Sequence, residues 1–412
     1  MTRDVIATLA FVLGAGLAVR TIASVLPVPE MLLLVLVGAL LGPSVLGAID
    51  VPLDSLGAQL IFTLGVSAIL FYGGLNLSVA VLRRTAISLG LLATAGVLVT
   101  AGIVAVAAHA AFGLDWTESL LLGAVLSPTD PAILIPLFTG TGLRPKVAQT
   151  LIAESAFNDP VGAVLALSLA GVLLSGDSSV GKPAAEFVLD LGISTVVGIV
   201  AGVALSAAIS SHRAGIWRES SAIAVLAVVT IGYVSLDTAG GSGYLGAFVA
   251  GLIVGNMERL GLSMHAEHER EMKDFARNLA DLVTLFVFVV LGANLPFAEI
   301  WRQLGPALVV LAALVVVARP LVVWLCTLAD GRADWSRPEL VFLAWSRETG
   351  VVPAALVGVL AGLGVPDNGL FASVIGLAIV VTLAIQAMPA PWLARRLGLL
   401  EDLGPAPPAP PR

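Results

Sequence analysis

Continuous apolar runs of about 20 residues, the length at which a helix crosses a hydrocarbon layer ~30 Å thick, recur along nearly the whole chain. That feature leaves few ways to fold. Within a bilayer every backbone N–H and C=O is satisfied by the protein itself, which admits only helices and closed barrels. Barrel strands read as ~10-residue segments of alternating polarity. The runs here do not alternate, so they predict helices. Charged residues make up 12% of the 412, against about 25% in soluble domains, too few to coat a water-facing surface. Val, Leu, Ala and Gly dominate the runs, and small residues allow close helix contacts. The one cysteine, Cys326, excludes an intramolecular disulfide and any multi-cysteine metal or iron–sulfur site.

Thirteen spans are expected, near 5–26, 30–47, 56–75, 85–112, 118–138, 148–175, 184–209, 219–235, 241–257, 278–295, 304–328, 338–363 and 370–392. The first starts after Arg3 and runs past Arg20 with no small-residue cleavage pattern, so it reads as a span and not a signal peptide. Residues 1–396 are then one transmembrane unit, and 397–412, Pro/Ala-rich from Pro405, a flexible tail with no soluble domain appended. With thirteen spans, fifteen of the 21 Lys and Arg fall in loops on one side, and three (Arg3, Lys182 and Arg302) on the other. Cytoplasmic loops carry the excess of positive charge, so the N-terminus is expected outside and the C-terminus in the cytoplasm, in an inner membrane. Neither a cofactor nor a nucleic-acid partner is expected.

Two spans are interrupted. Span 5 holds Ser127-Pro128-Thr129-Asp130-Pro131, and span 12 holds Arg347-Glu348-Thr349-Gly350 and then Pro353. Proline removes a donor and clashes with the preceding turn, and irregular backbone at membrane depth is tolerated only where it lines a protein cavity. The two lie at matching positions of spans 1–6 and 8–13, which the loop count runs in opposite directions. Broken helices at matching positions of inverted halves point to a transporter binding site. Half-helix ends, each with about half an elementary charge, would meet there, and charged side chains would compensate them.

Ionisable residues inside spans are costly and usually functional. They include Asp130, Glu154, Asp159, Arg319, Arg347 and Glu348, with Asp281 near a span end. On a helix Ser155 and Asp159 are four apart and share a face, while Glu154 and Asn158 share the neighbouring one. One face thus offers a carboxylate and a hydroxyl, both hard oxygen donors suited to an alkali cation. The other offers a carboxylate able to pair with a buried arginine. Burial penalises the ionised form of a carboxylate, so Asp159 is expected to hold either a proton or a cation. That competition suffices for exchange if the empty site cannot cross. The competing explanation is a structural polar pair between helices.

The segment Glu154-Ser155-Ala156-Phe157-Asn158-Asp159, preceded by Ser127-Pro128-Thr129-Asp130-Pro131, resembles the NhaP/NHE-type sodium/proton antiporters of the monovalent cation:proton antiporter superfamily. Gly241-Ser242-Gly243-Tyr244-Leu245-Gly246, running on to Ala250-Gly251-Leu252 and Gly255-Asn256, resembles a further family helix, as does Phe71-Tyr72-Gly73-Gly74. The glycine pattern also fits a dinucleotide fingerprint, but no strand precedes it. The resemblance covers essentially the whole chain. It implies an all-α membrane protein of thirteen transmembrane helices in two inverted repeats, with crossed discontinuous helices 5 and 12. It also implies a core domain moving against a dimerisation domain, and a homodimer. It implies cation binding at Asp159 and Ser155, with Asn158 beside them and the backbone at Thr129 assisting. Asn158 stands where electrogenic relatives have a second aspartate, which implies one proton per cation and electroneutral exchange. Glu154 is implied to pair with the arginine of span 12, and Asp130 and Arg319 to compensate helix ends.

Two departures from the family pattern stand out. Tyr72 replaces a glutamate found in some members. On span 12, Thr349 takes the register of the family arginine, and Arg347 lies two residues earlier, about 200° around a helix. In an unwound segment Arg347 can still reach Glu154, and Glu348 is the alternative partner for Arg347.

Weaker signals remain. His265 and His268 lie in a polar stretch, Met257 to Arg277, that suits an amphipathic interfacial helix or a pH sensor. His109 sits near the outer end of span 4, and Gly198 and Gly202 allow close packing in span 7. The leading function is exchange of a monovalent cation (Na+, with K+ or Li+ as alternatives) for H+. A proton- or sodium-coupled solute symporter would need an anion-recognising group beyond Arg319 and Arg347. A channel would need symmetric pore-lining repeats, and an enzyme a nucleophile–His pair that the spans lack.

Overall fold

The computed structural model describes residues 2–26, 28–77, 79, 85–130, 141–175, 181–211 and 215–402. In chain order its helices are α1 (Thr2–Ala23), α2 (Glu30–Leu41), α3 (Leu56–Leu75), α4 (Ala86–Ala93), α5 (Ala95–Phe112), α6 (Trp116–Leu126), α7 (Pro145–Ser175), α8 (Gly181–Ile209) and α9 (Ser221–Ala239). They continue as α10 (Gly243–Gly255), α11 (Ala266–Ala293), α12 (Phe297–Arg302), α13 (Leu304–Ala312), α14 (Arg319–Leu328), α15 (Arg337–Trp345), α16 (Val351–Gly362), α17 (Asn368–Thr382) and α18 (Ala390–Arg396). Among the described residues eight helical stretches are long and apolar enough to cross a membrane, and five shorter apolar helices accompany them. Large aliphatic side chains point outward, Val200 at 63% and Ile223 at 71% exposure among them. Water disfavours such a surface and lipid accepts it.

Several boundaries differ from expectation. Polar residues 266–277 are not a separate interfacial helix but the first three turns of α11. The pairs Lys273–Glu269 and Arg277–Asp274 line this amphipathic stretch, which a hydropathy window passes over. Pro353 is not part of the second break. It sits in the first turn of α16, where an N–H has no helical acceptor in any case. Two π-helical stretches, Ala313–Ala318 and Leu383–Ala387, interrupt the runs around them. The expected flexible tail from 397 is partly ordered, since β2 (Leu400–Asp402) pairs antiparallel with β1 (Thr141–Leu143), just before α7. The remainder of the tail, Arg83, Arg84, Arg213 and Pro131 lie outside the described residues.

Close helix contacts occur twice in the same pattern. A Cβ on Gly38, Gly42 or Gly292 would stand 2.2–2.4 Å from the backbone oxygens of Val289, Ala293 and Val35, so α2 and α11 touch backbone to backbone. A Cβ on Gly251, Gly255 or Gly74 would stand 2.1–2.2 Å from the oxygens of Phe71, Leu75 and Phe248, between α10 and α3. The two sets match residue for residue in spacing, with α2 answering to α10 and α11 to α3. Small residues at these points let van der Waals contact hold helices that gain no hydrophobic drive in lipid.

One polar cluster ties the start of α7 to the rest of the bundle. Asp330 accepts from the N–H and Oγ of Ser88 at 3.0 and 2.8 Å, and Trp335 Nε1 donates to the same Oγ at 3.1 Å. Lys146 lies 4.2 Å from the Trp335 ring centre and pairs with Glu339 at 3.0 Å. Burial alone would raise the Asp330 carboxyl. The donors on Ser88, with the backbone of Arg332 and Ala333, outweigh it and hold the group below the usual range. A lowered folded value gives stability that is present above the unfolded pKa and lost as pH falls through the folded one. Thermal unfolding in detergent is therefore expected to lose stability below about pH 4, and Asp330→Asn to flatten that slope. An unchanged slope in the variant would contradict the assignment.

Candidate functional site

Both expected breaks are present, and they cross. α6 ends at Leu126, and Ser127–Asp130 runs on without helix. α15 ends at Trp345, and Ser346–Gly350 is unwound before α16. The Asp130 N–H donates to the Glu348 carbonyl at 3.0 Å, which stitches the two irregular segments together. Gly350 makes the approach possible: a Cβ there would lie 2.0 Å from the Cβ of Asp130.

Each described helix end at the crossing meets an opposite charge. The Asp130 carboxylate accepts from Val351 N–H at 3.3 Å, at the positive N-terminus of α16. Arg347 donates to the Leu126 carbonyl and, at 3.2 Å, to the Ser127 carbonyl, at the negative C-terminus of α6. Arg319 Nε donates to the Leu343 carbonyl at 2.9 Å, in the last turn of α15.

Glu154 pairs with Arg319 through both terminal guanidinium nitrogens, Nη1 to Oε1 and Nη2 to Oε2, the latter at 3.1 Å. This corrects the expected Glu154–Arg347 pair. Arg347 lies in the unwound segment and reaches back over α6, with Thr349 Oγ1 as its further contact at 3.4 Å. Arg319 stands in the first turn of α14, directly after a π-helical stretch, and faces α7. Glu348 is within electrostatic reach of Arg347, but no hydrogen bond joins them and its Oε1 has no hydrogen-bond partner.

α7 carries the central residues. Pro160 lies inside it and contributes no N–H, so the Ala156 carbonyl, between Ser155 and Asp159, is without its helical donor. Phe157 packs edge-on against Phe248 and fixes α7 to α10. Asp159 is 9% exposed. Its side chain meets the Ser155 hydroxyl, and Asp130 is the nearest charge. Asn158, expected as an ion neighbour, spends its amide on the break: Nδ2 donates to Thr129 Oγ1 at 2.9 Å and Oδ1 accepts from Thr129 N–H at 3.3 Å. It positions Thr129 beside α7. Tyr72 is half-buried on α3, and its charged neighbours, Arg277, Asp281 and Asp274, belong to α11 and not to α7.

Two residues that sequence reading missed hold the second break. Gln386 Nε2 donates to the Trp345 carbonyl at 2.6 Å, and Thr382 Oγ1 accepts from Thr349 N–H at 3.0 Å. A search for charge alone passes over an uncharged amide in an apolar run, although Gln386 is as much out of place there as a carboxylate.

The profile of the transmembrane sodium/hydrogen exchanger family matches residues 7–396, nearly the whole bundle including both breaks and α7. The chain belongs to the sodium/hydrogen exchanger family. Among members, it is 30% identical over 385 residues to the K+/H+ antiporter NhaP of Alkalimonas amylolytica, covering 92% of this chain and 64% of that one. It is 28% identical over 365 residues to probable Na+/H+ antiporter 2 of Methanocaldococcus jannaschii, covering 85% and 83%. This exchanger-family chain thus spans less than two thirds of the length of the NhaP relative. The sodium proton antiporter MjNhaP1 of Methanocaldococcus jannaschii, solved at pH 8, superposes with a TM-score of 0.80 at 26% identity, over 96% of this chain and 99% of that one. The all-α antiporter fold and the multi-pass membrane setting follow.

Proposed function

We propose that the protein exchanges a monovalent cation for a proton by alternating access, with cation and proton competing for Asp159. One observation carries this reading. Of the four buried carboxylates at the crossing, Glu154 is held by Arg319, Asp130 by the end of α16, and Glu348 stands in the second break. Asp159 instead has the Ser155 hydroxyl beside it and follows Asn158, which holds Thr129. Ser155 Oγ, the Thr129 carbonyl and the carboxylate together make an oxygen set for a dehydrated alkali ion. With one such carboxylate per site, one proton replaces one cation and exchange is electroneutral. Sodium is the first assignment; the relatives carry both potassium and sodium names.

The five shorter helices complete thirteen spans in two inverted repeats, a reading that the matched glycine contacts of α2–α11 and α10–α3 support. The distribution of basic loops supports an N-terminus outside and a C-terminus in the cytoplasm of a bacterial or archaeal cell. The test is cation-dependent proton movement in proteoliposomes under Na+, K+ and Li+, with the membrane potential clamped at several values. Flux indifferent to potential is expected. Flux that scales with potential would overturn the one-for-one stoichiometry, and no flux with any cation would overturn exchange.

A further inference from the structure

The second break holds more oxygen than its hydrogen bonds use. Ser346 Oγ, Glu348 Oε1 and Gln386 Oε1 all lack a partner, and each residue is 1% exposed. The unwound segment is pinned to α17 and its π-helical extension at both ends, Trp345 to Gln386 and Thr349 to Thr382. Ser346 and Glu348 fall between the pins. Ser346 is extended, and residues two apart along extended backbone share a side, opposite Arg347, which reaches α6. Gln386 itself sits in the π-helical stretch Leu383–Ala387, a local geometry frequent at functional sites.

Charge at the crossing is also unbalanced. The charges nearest Glu348 are Arg319, Asp130 and Arg347. Both arginines act on Glu348, but Arg319 also pairs with Glu154. Four buried carboxylates, Asp130, Glu154, Asp159 and Glu348, thus face two buried arginines, and negative charge is in excess. Uncompensated charge on a buried carboxylate costs several kcal/mol, and a water molecule would supply hydrogen bonds but no charge. A single carboxylate with two neutral oxygens is too weak a set for a divalent ion, which takes more oxygen ligands and more charge.

We propose that Ser346, Glu348 and Gln386 form a second monovalent-cation site, which keeps its ion while Asp159 exchanges. The ion neutralises Glu348 and ties the unwound segment to α17, so that the α15–α16 break moves as one piece with the helix beside it.

Equilibrium binding of radiolabelled Na+ and Rb+ to the purified full chain in detergent tests this. Two ions per chain are expected for wild type, one for Asp159→Asn, one for Glu348→Gln and none for the double variant. In the Asp159→Asn background, Ser346→Ala and Gln386→Ala are each expected to weaken the remaining ion by about tenfold or more, which keeps the test open if Glu348→Gln folds poorly. No ion on Asp159→Asn would overturn the proposal and leave a proton as the partner of Glu348. Residual binding indifferent to all three substitutions would overturn it too. Absence of proton exchange in liposomes, with the residual ion intact, would strike the exchange reading and leave this site standing.

Discussion

Arg319→Ala is expected to destabilise the folded protein by about 3–5 kcal/mol, the range seen when one partner of a buried ion pair is removed and the other left uncompensated. The variant strands the Glu154 carboxylate at 2% exposure and also frees the Leu343 carbonyl at the end of α15. Replacing both partners with apolar residues, Arg319→Leu with Glu154→Leu, is expected to recover most of the loss, because no unpaired charge is then buried. A double-mutant cycle in detergent unfolding distinguishes the two arginines. Coupling of Glu154 to Arg319 should reach about 2–3 kcal/mol, and coupling to Arg347 should stay within about 0.5 kcal/mol. Equal coupling to both would restore the pairing expected from the family pattern.

Gly350→Ala is expected to cut exchange by about 10- to 100-fold, equivalent to roughly 1.4–2.7 kcal/mol on the transport barrier, while the helices stay folded. The added Cβ would stand 2.3 Å from Asp130 Oδ2 as well as against its Cβ. Either the carboxylate leaves Val351 N–H or the segments separate and the Asp130–Glu348 backbone bond breaks. Gly90→Ala is the control, since a Cβ at that helical position meets nothing within 4 Å. Liposome flux at the wild-type rate in Gly350→Ala would show that the tight crossing is not needed for transport.

Apolar length made the helices legible, because a run of about 20 residues without charge has almost no other fate in lipid. The two breaks were legible for the same reason in reverse: Pro128 and the Arg347–Gly350 stretch are too polar or too stiff to continue a helix. Asp159, Ser155, Glu154 and Asp130 stood out as ionisable or paired residues at membrane depth, and the structure gathers them at the crossing. What pairs with what was not legible. Arg319 and Glu154 are 165 residues apart, and the direction of each guanidinium depends on helix phase, which π-helical turns before Arg319 and around Gln386 reset. The start of α11 was hidden because its charged face lowers the average hydropathy of its first three turns. The glycine correspondence between α2–α11 and α10–α3 lies in the spacing, but it gains meaning only once each glycine's partner backbone is known.

The proposed role of Asp159, carrying cation and proton in turn, is tested by cation-driven proton flux in proteoliposomes, measured for wild type and Asp159→Asn across a range of pH. Flux is expected in wild type, with a half-maximal cation concentration that rises about tenfold per pH unit on the acid side as one proton displaces one cation, and no flux in Asp159→Asn at any pH. Sustained cation-dependent flux in Asp159→Asn would contradict it and move the exchange site to another carboxylate of the crossing.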